Sequence, residues 1–186
     1  TFSGHKFHAP RGIGFIYARR GRKIAPLIDG GGQERALRGG TENLPAIAAM
    51  AKALRLLLTD EKQKVANEAA IKQRIFDHVK KFPLVTTFSE DNAGFAPHIL
   101  CFAIQGVRGE TIVHAFEEQG IYISTTSACS SKKHVPSSTL SAMHVPEDIS
   151  ASAIRISLDD HNTLAEADEF NKVFDKLYDK FKLLSA

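Results

Sequence analysis

The apolar pattern changes period part-way along the chain, and this constrains the fold more than any other feature. Over 43–58 apolar residues recur at helical spacing, with Thr41 or Asn43 placed to cap the first turn, and a more charged helix is expected over 61–82. Beyond Pro83 the period shortens: 84–88 and 98–104 read as strands, 109–119 as a helix and 121–124 as a further strand. The polar, Ser-rich run 125–138 reads as a loop. It precedes a short helix over 139–143, a strand over 153–158 and a closing amphipathic helix over 163–184, striped by Leu164, Phe170, Val173, Phe174, Leu177 and Phe181. Nearer the start, 12–18 reads as a strand entered through a tight turn and 25–28 as a short extended piece before Asp29 and three glycines. The fold class expected is α/β, with a domain boundary placed so that 1–62 and 63–186 are separate, the second a small α+β layer.

With 186 residues, 43% apolar and 24% charged, the chain can bury a sizeable core. Its net charge of +3 is spread along the length. The basic runs at 19–23 and at Lys132-Lys133 are short and lack interleaved aromatics, which argues against direct nucleic-acid binding. Two cysteines, Cys101 and Cys129, cannot form a disulfide framework, so a reducing cytoplasm is the expected compartment. No apolar stretch approaches the roughly 20 residues of a membrane helix, and the first residues are not a signal peptide. The chain opens without Met, directly in a motif, and a longer parent protein is expected.

Four segments carry chemistry. Ser3-Gly4-His5-Lys6, followed by Ala9-Pro10-Arg11-Gly12, sets one lysine on a constrained backbone beside hydrogen-bonding side chains; a Schiff-base lysine needs such a setting, although a lysine in a loop is ordinarily a solvated charge. Gly30-Gly31-Gly32-Gln33-Glu34-Arg35, continuing to Arg38-Gly39-Gly40-Thr41-Glu42-Asn43, combines close-approach glycines with a hydroxyl at a helix start, a combination suited to phosphate but common in plain turns. Ser127-Ala128-Cys129-Ser130-Ser131 puts a thiol in a polar loop, where Lys132 or Lys133 can favour the thiolate; an arbitrary exposed cysteine is usually inert. Arg155 interrupts the apolar strand around it, which calls for an anionic partner: a substrate carboxylate or a structural carboxylate. Cys101, within an apolar run, reads as a buried small hydrophobe. The spacings of His8, His134 and His144 around Cys129 match no zinc pattern.

Taken together and in this order, the four segments resemble the C-terminal half of the cysteine desulfurases, pyridoxal-phosphate enzymes of the aminotransferase-like fold. The likeness covers essentially the whole chain. Ala9 and Arg11 stand where a glycine and a lysine are commoner in the family, and neither change removes a group the chemistry needs. The resemblance implies that residues 1–62 end a large cofactor domain and that 63–186 form the small domain carrying the cysteine loop. It implies Lys6 as the cofactor lysine, with Ser3 and His5 near the phosphate, and Thr41 reaching the phosphate of a second subunit in a homodimer. Arg155 becomes the carboxylate clamp, and Cys129 the thiol that takes sulfur from L-cysteine on a mobile segment, leaving alanine. A sulfur-acceptor protein, such as an iron–sulfur scaffold or a tRNA-thiolation enzyme, is the implied partner. In the family the preceding half supplies the histidine stacked on the cofactor ring and the aspartate at its pyridine nitrogen. Alternatives are a related aminotransferase or selenocysteine lyase, which need no cysteine loop, and a non-catalytic module that dimerises or docks acceptors.

Overall fold

The computed structural model describes residues 1–90, 92, 94–126 and 137–184. The chain divides into two compact units, Thr1–Glu61 and Lys62–Ala186.

In the first unit a two-residue ribbon pairs β1 (Phe2–Ser3) antiparallel with β2 (Gly14–Phe15). The expected strand over 12–18 is reduced to these two residues because only Phe2 and Ser3 offer it a partner, and 25–28 forms no strand. Between β1 and β2 runs a 3-10 turn, Gly4–Phe7. Gln33–Ala36 makes a single helical turn, α1, not foreseen from the sequence; Glu34 and Arg35 inside it have φ of 49° and 59°, left-handed and costly for residues with a Cβ. Helix α2 (Leu44–Leu58) begins at Asn43, whose side chain accepts the Ala46 N–H at 3.2 Å, with Pro45 in the first turn. Of the two caps the sequence offered, Asn43 is the one used.

The second unit is built on an antiparallel sheet in the order β3-β4-β6-β5: Val85–Thr87, Ile99–Ile104, Ala153–Ser157 and Ser124–Thr125. Around it lie α3 (Glu61–Val79), α4 (Gly109–Glu117), the short α5 (Ser138–Ala142) and α6 (Glu147–Ala151), and α7 (Leu164–Leu184). The α6 turn was not expected; Pro146 ahead of it and Glu147 and Asp148 in its first turn suit a helix start. Strand β5 lies later than the expected 121–124, because pairing to β6 begins only where Ser124 meets Arg155.

Alternation along the two central strands sorts the sheet's faces. Leu100, Phe102, Ile104, Ile154 and Ile156 point to the main core, where Ile71 and Ile75 of α3, Ile112 and Phe116 of α4, and Phe170 and Phe174 of α7 meet them. Phe174 lies at the centre of an aromatic cluster: 5.0 Å from Phe82, 5.9 Å from Tyr178 and 6.0 Å from Phe102. Tyr178 also accepts the Leu84 N–H at 3.1 Å, tying α7 to the entry of β3. On the opposite face Ala103 and Ala153 are covered by Leu140, Val145 and Ile149, while Cys101 and Arg155 continue the same face beyond that small cluster.

Candidate active site

The lysine turn is locked by its backbone. Gly4 donates to the Ile13 carbonyl at 2.9 Å and accepts from Ala9 at 3.1 Å, while His8 closes the turn in the left-handed region. A Cβ on Gly4 would sit 2.7 Å from the Ile13 oxygen, so only glycine lets the two stretches of chain approach this closely. Phe7 is buried edge-on to Phe15, and Phe15 stacks on Phe2 at 4.6 Å. This clamp leaves Ser3, His5 and Lys6 exposed on one short turn, against which α2 also packs. The turn thus carries a hydroxyl, an imidazole and a primary amine, all exposed. Thr41 is exposed, just before the Asn43 cap. The Gly30–Gly39 loop is closed by the Gly39 N–H on the Ile28 carbonyl at 2.9 Å, and Arg38 bonds the Gly39 carbonyl.

In the second unit Arg155 sits mid-strand on β6, flanked across the sheet by Cys101 on β4 and Ser124 on β5. Residues directly opposite in antiparallel strands share a face, so the guanidinium emerges between a thiol and a hydroxyl. Its Nε is buried and has no hydrogen-bond partner among the described residues. A structural carboxylate partner, the other reading open to the sequence, is not found among the described residues. Cys101 is half-buried rather than fully enclosed, because its side chain lies on the Arg155 face and not in the main core. Burial pushes its thiol up to about 11, against a smaller downward pull from the Arg155 charge, so it stands neutral at physiological pH.

Two buried polar residues beside the start of strand β4 gave no signal in the sequence. Ser89 accepts the Cys101 N–H through its hydroxyl at 2.9 Å, and Lys72 of α3 donates to the Glu90 and Ala96 carbonyls at 3.2 and 3.0 Å. Both are buried, Lys72 to 3% exposure; a serine after a strand reads as a turn, and a lysine in a charged helix as solvated. An open groove of about 430 Å³, with Ile71, Ile123, Ile156 and Phe170 among its lining, does not include Arg155. Cys129 lies outside the described residues, as do His134, Lys132 and Lys133.

The family model for aminotransferase class-V matches residues 1–170. The chain belongs to that family. Over 185 residues it is 59% identical to a NifS/IcsS protein homolog of Lactobacillus delbrueckii subsp. bulgaricus, covering all of this chain and 48% of that protein. It is 32% identical to the cysteine desulfurase IscS of Dictyoglomus turgidum, again over all of this chain and 47% of the relative. Among solved structures, a NifS-like protein superposes with a TM-score of 0.79 at 33% identity, over 94% of this chain and 44% of that one. The chain therefore spans about half the length of the curated relatives it matches, and the α/β fold of this class-V member is that of the NifS-like proteins.

Proposed function

We propose that this chain is the part of a cysteine desulfurase that carries the cofactor lysine, the carboxylate clamp and the sulfur-accepting thiol. The observation that carries the reading is Arg155: a guanidinium in a well-paired strand, with a buried Nε lacking a partner among the described residues and with only neutral neighbours across the sheet. Such a cation needs an anion from outside the strand, and a substrate α-carboxylate fits its planar fork. The donor chemistry of the lysine turn suits pyridoxal phosphate: Lys6 offers the amine, and Ser3 and His5 suit one end of the phosphate. When bound, that group supplies an electron sink for the substrate's α-carbon.

The chain's own residues then have distinct tasks. Arg155 holds the carboxylate and fixes which way the amino acid faces. The Lys6 amine moves the proton at the α-carbon. The Cys129 thiolate attacks the substrate sulfur; the new S–S bond leaves a persulfide on Cys129, the C–S bonding pair stays with the substrate's β-carbon, and that carbon takes a proton to give alanine. Thr41, exposed ahead of α2, is the residue we assign to the phosphate of a second copy in a homodimer. The acceptor is a sulfur-carrying partner protein, and the compartment we propose is the cytoplasm. Support comes from the curated relatives named as cysteine desulfurases.

The experiment is L-cysteine turnover by the complete protein, with alanine and protein-bound persulfide measured together. Cys129→Ser is expected to abolish both, whereas alanine and persulfide formed at the wild-type rate would overturn the assignment of Cys129.

A further inference from the structure

Strand β4 is paired to β3 through Phe102 opposite Thr87, and there the regular ladder stops. Phe88 and Ser89 both donate their N–H groups to the Cys101 carbonyl, at 2.9 and 3.3 Å, so two residues on one strand oppose one on the other. This is a bulge, a device that bends a strand and re-aims the side chains beside it. It leaves the Cys101 N–H without a backbone acceptor, and the Ser89 hydroxyl takes that bond at 2.9 Å. Ser89 is only 5% exposed, and Lys72 donates to the carbonyls of the adjacent Glu90 and of Ala96. On its other side Cys101 is registered directly against Arg155.

We infer that Ser89 is a positioning residue for Arg155: by closing the bulge at Cys101 it fixes the strand on which Arg155 is registered, and so the direction of the guanidinium. The inference rests on Arg155 being the carboxylate clamp. Without the hydroxyl, the Cys101 N–H must find another partner, and strand β4 can satisfy it only by shifting beside Arg155. Shifts of this kind need not unfold the sheet. They misplace a group whose value depends on aim, and small misplacements in a binding site are costly.

The test is a double-mutant cycle on the complete, cofactor-loaded protein, read by equilibrium dialysis of L-alanine, which presents the carboxylate without the sulfur. Ser89→Ala is expected to weaken L-alanine binding roughly three- to tenfold, and Arg155→Lys at least about tenfold. In the Arg155→Lys background Ser89→Ala is expected to change affinity less than about twofold, since a flexible ammonium needs no aimed fork. Equal losses from Ser89→Ala in both backgrounds would overturn the positioning role and leave the clamp standing. An Arg155→Lys protein that binds L-alanine like wild type would instead remove the clamp itself. Should Ser89→Ala fail to fold, Ser89→Cys, with a weaker acceptor of similar size, is expected to give a partial loss; unchanged affinity in that variant would also overturn the role.

Discussion

Arg155 and Cys101 face each other across β6 and β4, and their difference in charge is the most informative pairing in the molecule. Burial holds the proton on the Cys101 thiol, so the group across the sheet from Arg155 is neutral. On the proposed clamp role, losing a bidentate hold on the carboxylate costs about 1.5–3 kcal/mol, so Arg155→Lys in the complete protein is expected to raise KM for L-cysteine roughly 10- to 100-fold with a smaller effect on kcat, checked by steady-state kinetics. The thiols offer a second contrast. Iodoacetamide near neutral pH is expected to label Cys129 and spare Cys101, as read by peptide mass mapping; preferential labelling of Cys101 would contradict the burial described. The sign of the pH effect follows from the raised thiol. Its folded-state value of about 11 lies above the ordinary 9.0, so the contribution to stability is complete below pH 9 and is lost as pH rises from there towards 11. Chemical denaturation midpoints across that window, in wild type and Cys101→Ala, would show it as a decline in the former that the variant lacks. At this scale the sequence drew attention to Arg155, because it breaks the apolar pattern of its strand, whereas Lys6 stood out only through the resemblance of its whole segment. Ser89 stayed hidden, because its role depends on a bulge that only strand pairing creates.

Among the elements, α7 has a start fixed by its own side chains. Thr163 caps it: its hydroxyl accepts the Glu166 N–H at 3.2 Å, and Glu166 returns the contact to the Thr163 N–H at 2.7 Å. This reciprocal pair is a capping box, so Thr163→Ala is expected to lower stability by about 1 kcal/mol, measured by chemical denaturation. The same bonds hold the Glu166 carboxyl below its usual range, the Thr163 backbone N–H foremost. That stabilisation is present above the ordinary carboxylate pKa and fades as pH falls through the lowered one. Further along the helix, Phe174→Ala removes the ring shared by Phe82, Phe102 and Tyr178, for an expected loss of about 3–5 kcal/mol. The long helices were legible in the sequence because a repeated apolar face needs no knowledge of its partner. Two short strands were less so: β2 ends where its partner β1 ends, and β5 pairs only Ser124 and Thr125 with β6, so 121–123 stays unpaired in the sheet although its residues favour a strand.

At the scale of the whole molecule the two units differ in what they enclose. Residues of the second unit bury a continuous aromatic and aliphatic core. The first unit leaves Leu27 96%, Tyr17 72% and Leu44 71% exposed, and none of α2 is fully buried. Limited proteolysis of this chain is accordingly expected to degrade residues 1–61 before the described helices and strands of the second unit; equal resistance of both would contradict the burial pattern. The motif order along the chain was readable because each segment is local, whereas the enclosure of each unit depends on contacts between residues far apart in sequence. The central claim is that Lys6 is the cofactor lysine, and it is tested most directly on the complete protein by incubation with pyridoxal phosphate, borohydride reduction and peptide mapping. The expected result is a phosphopyridoxyl mass confined to the peptide carrying Lys6 and absent from Lys6→Ala; a mass on another lysine, or scattered over surface lysines in both proteins, would contradict it.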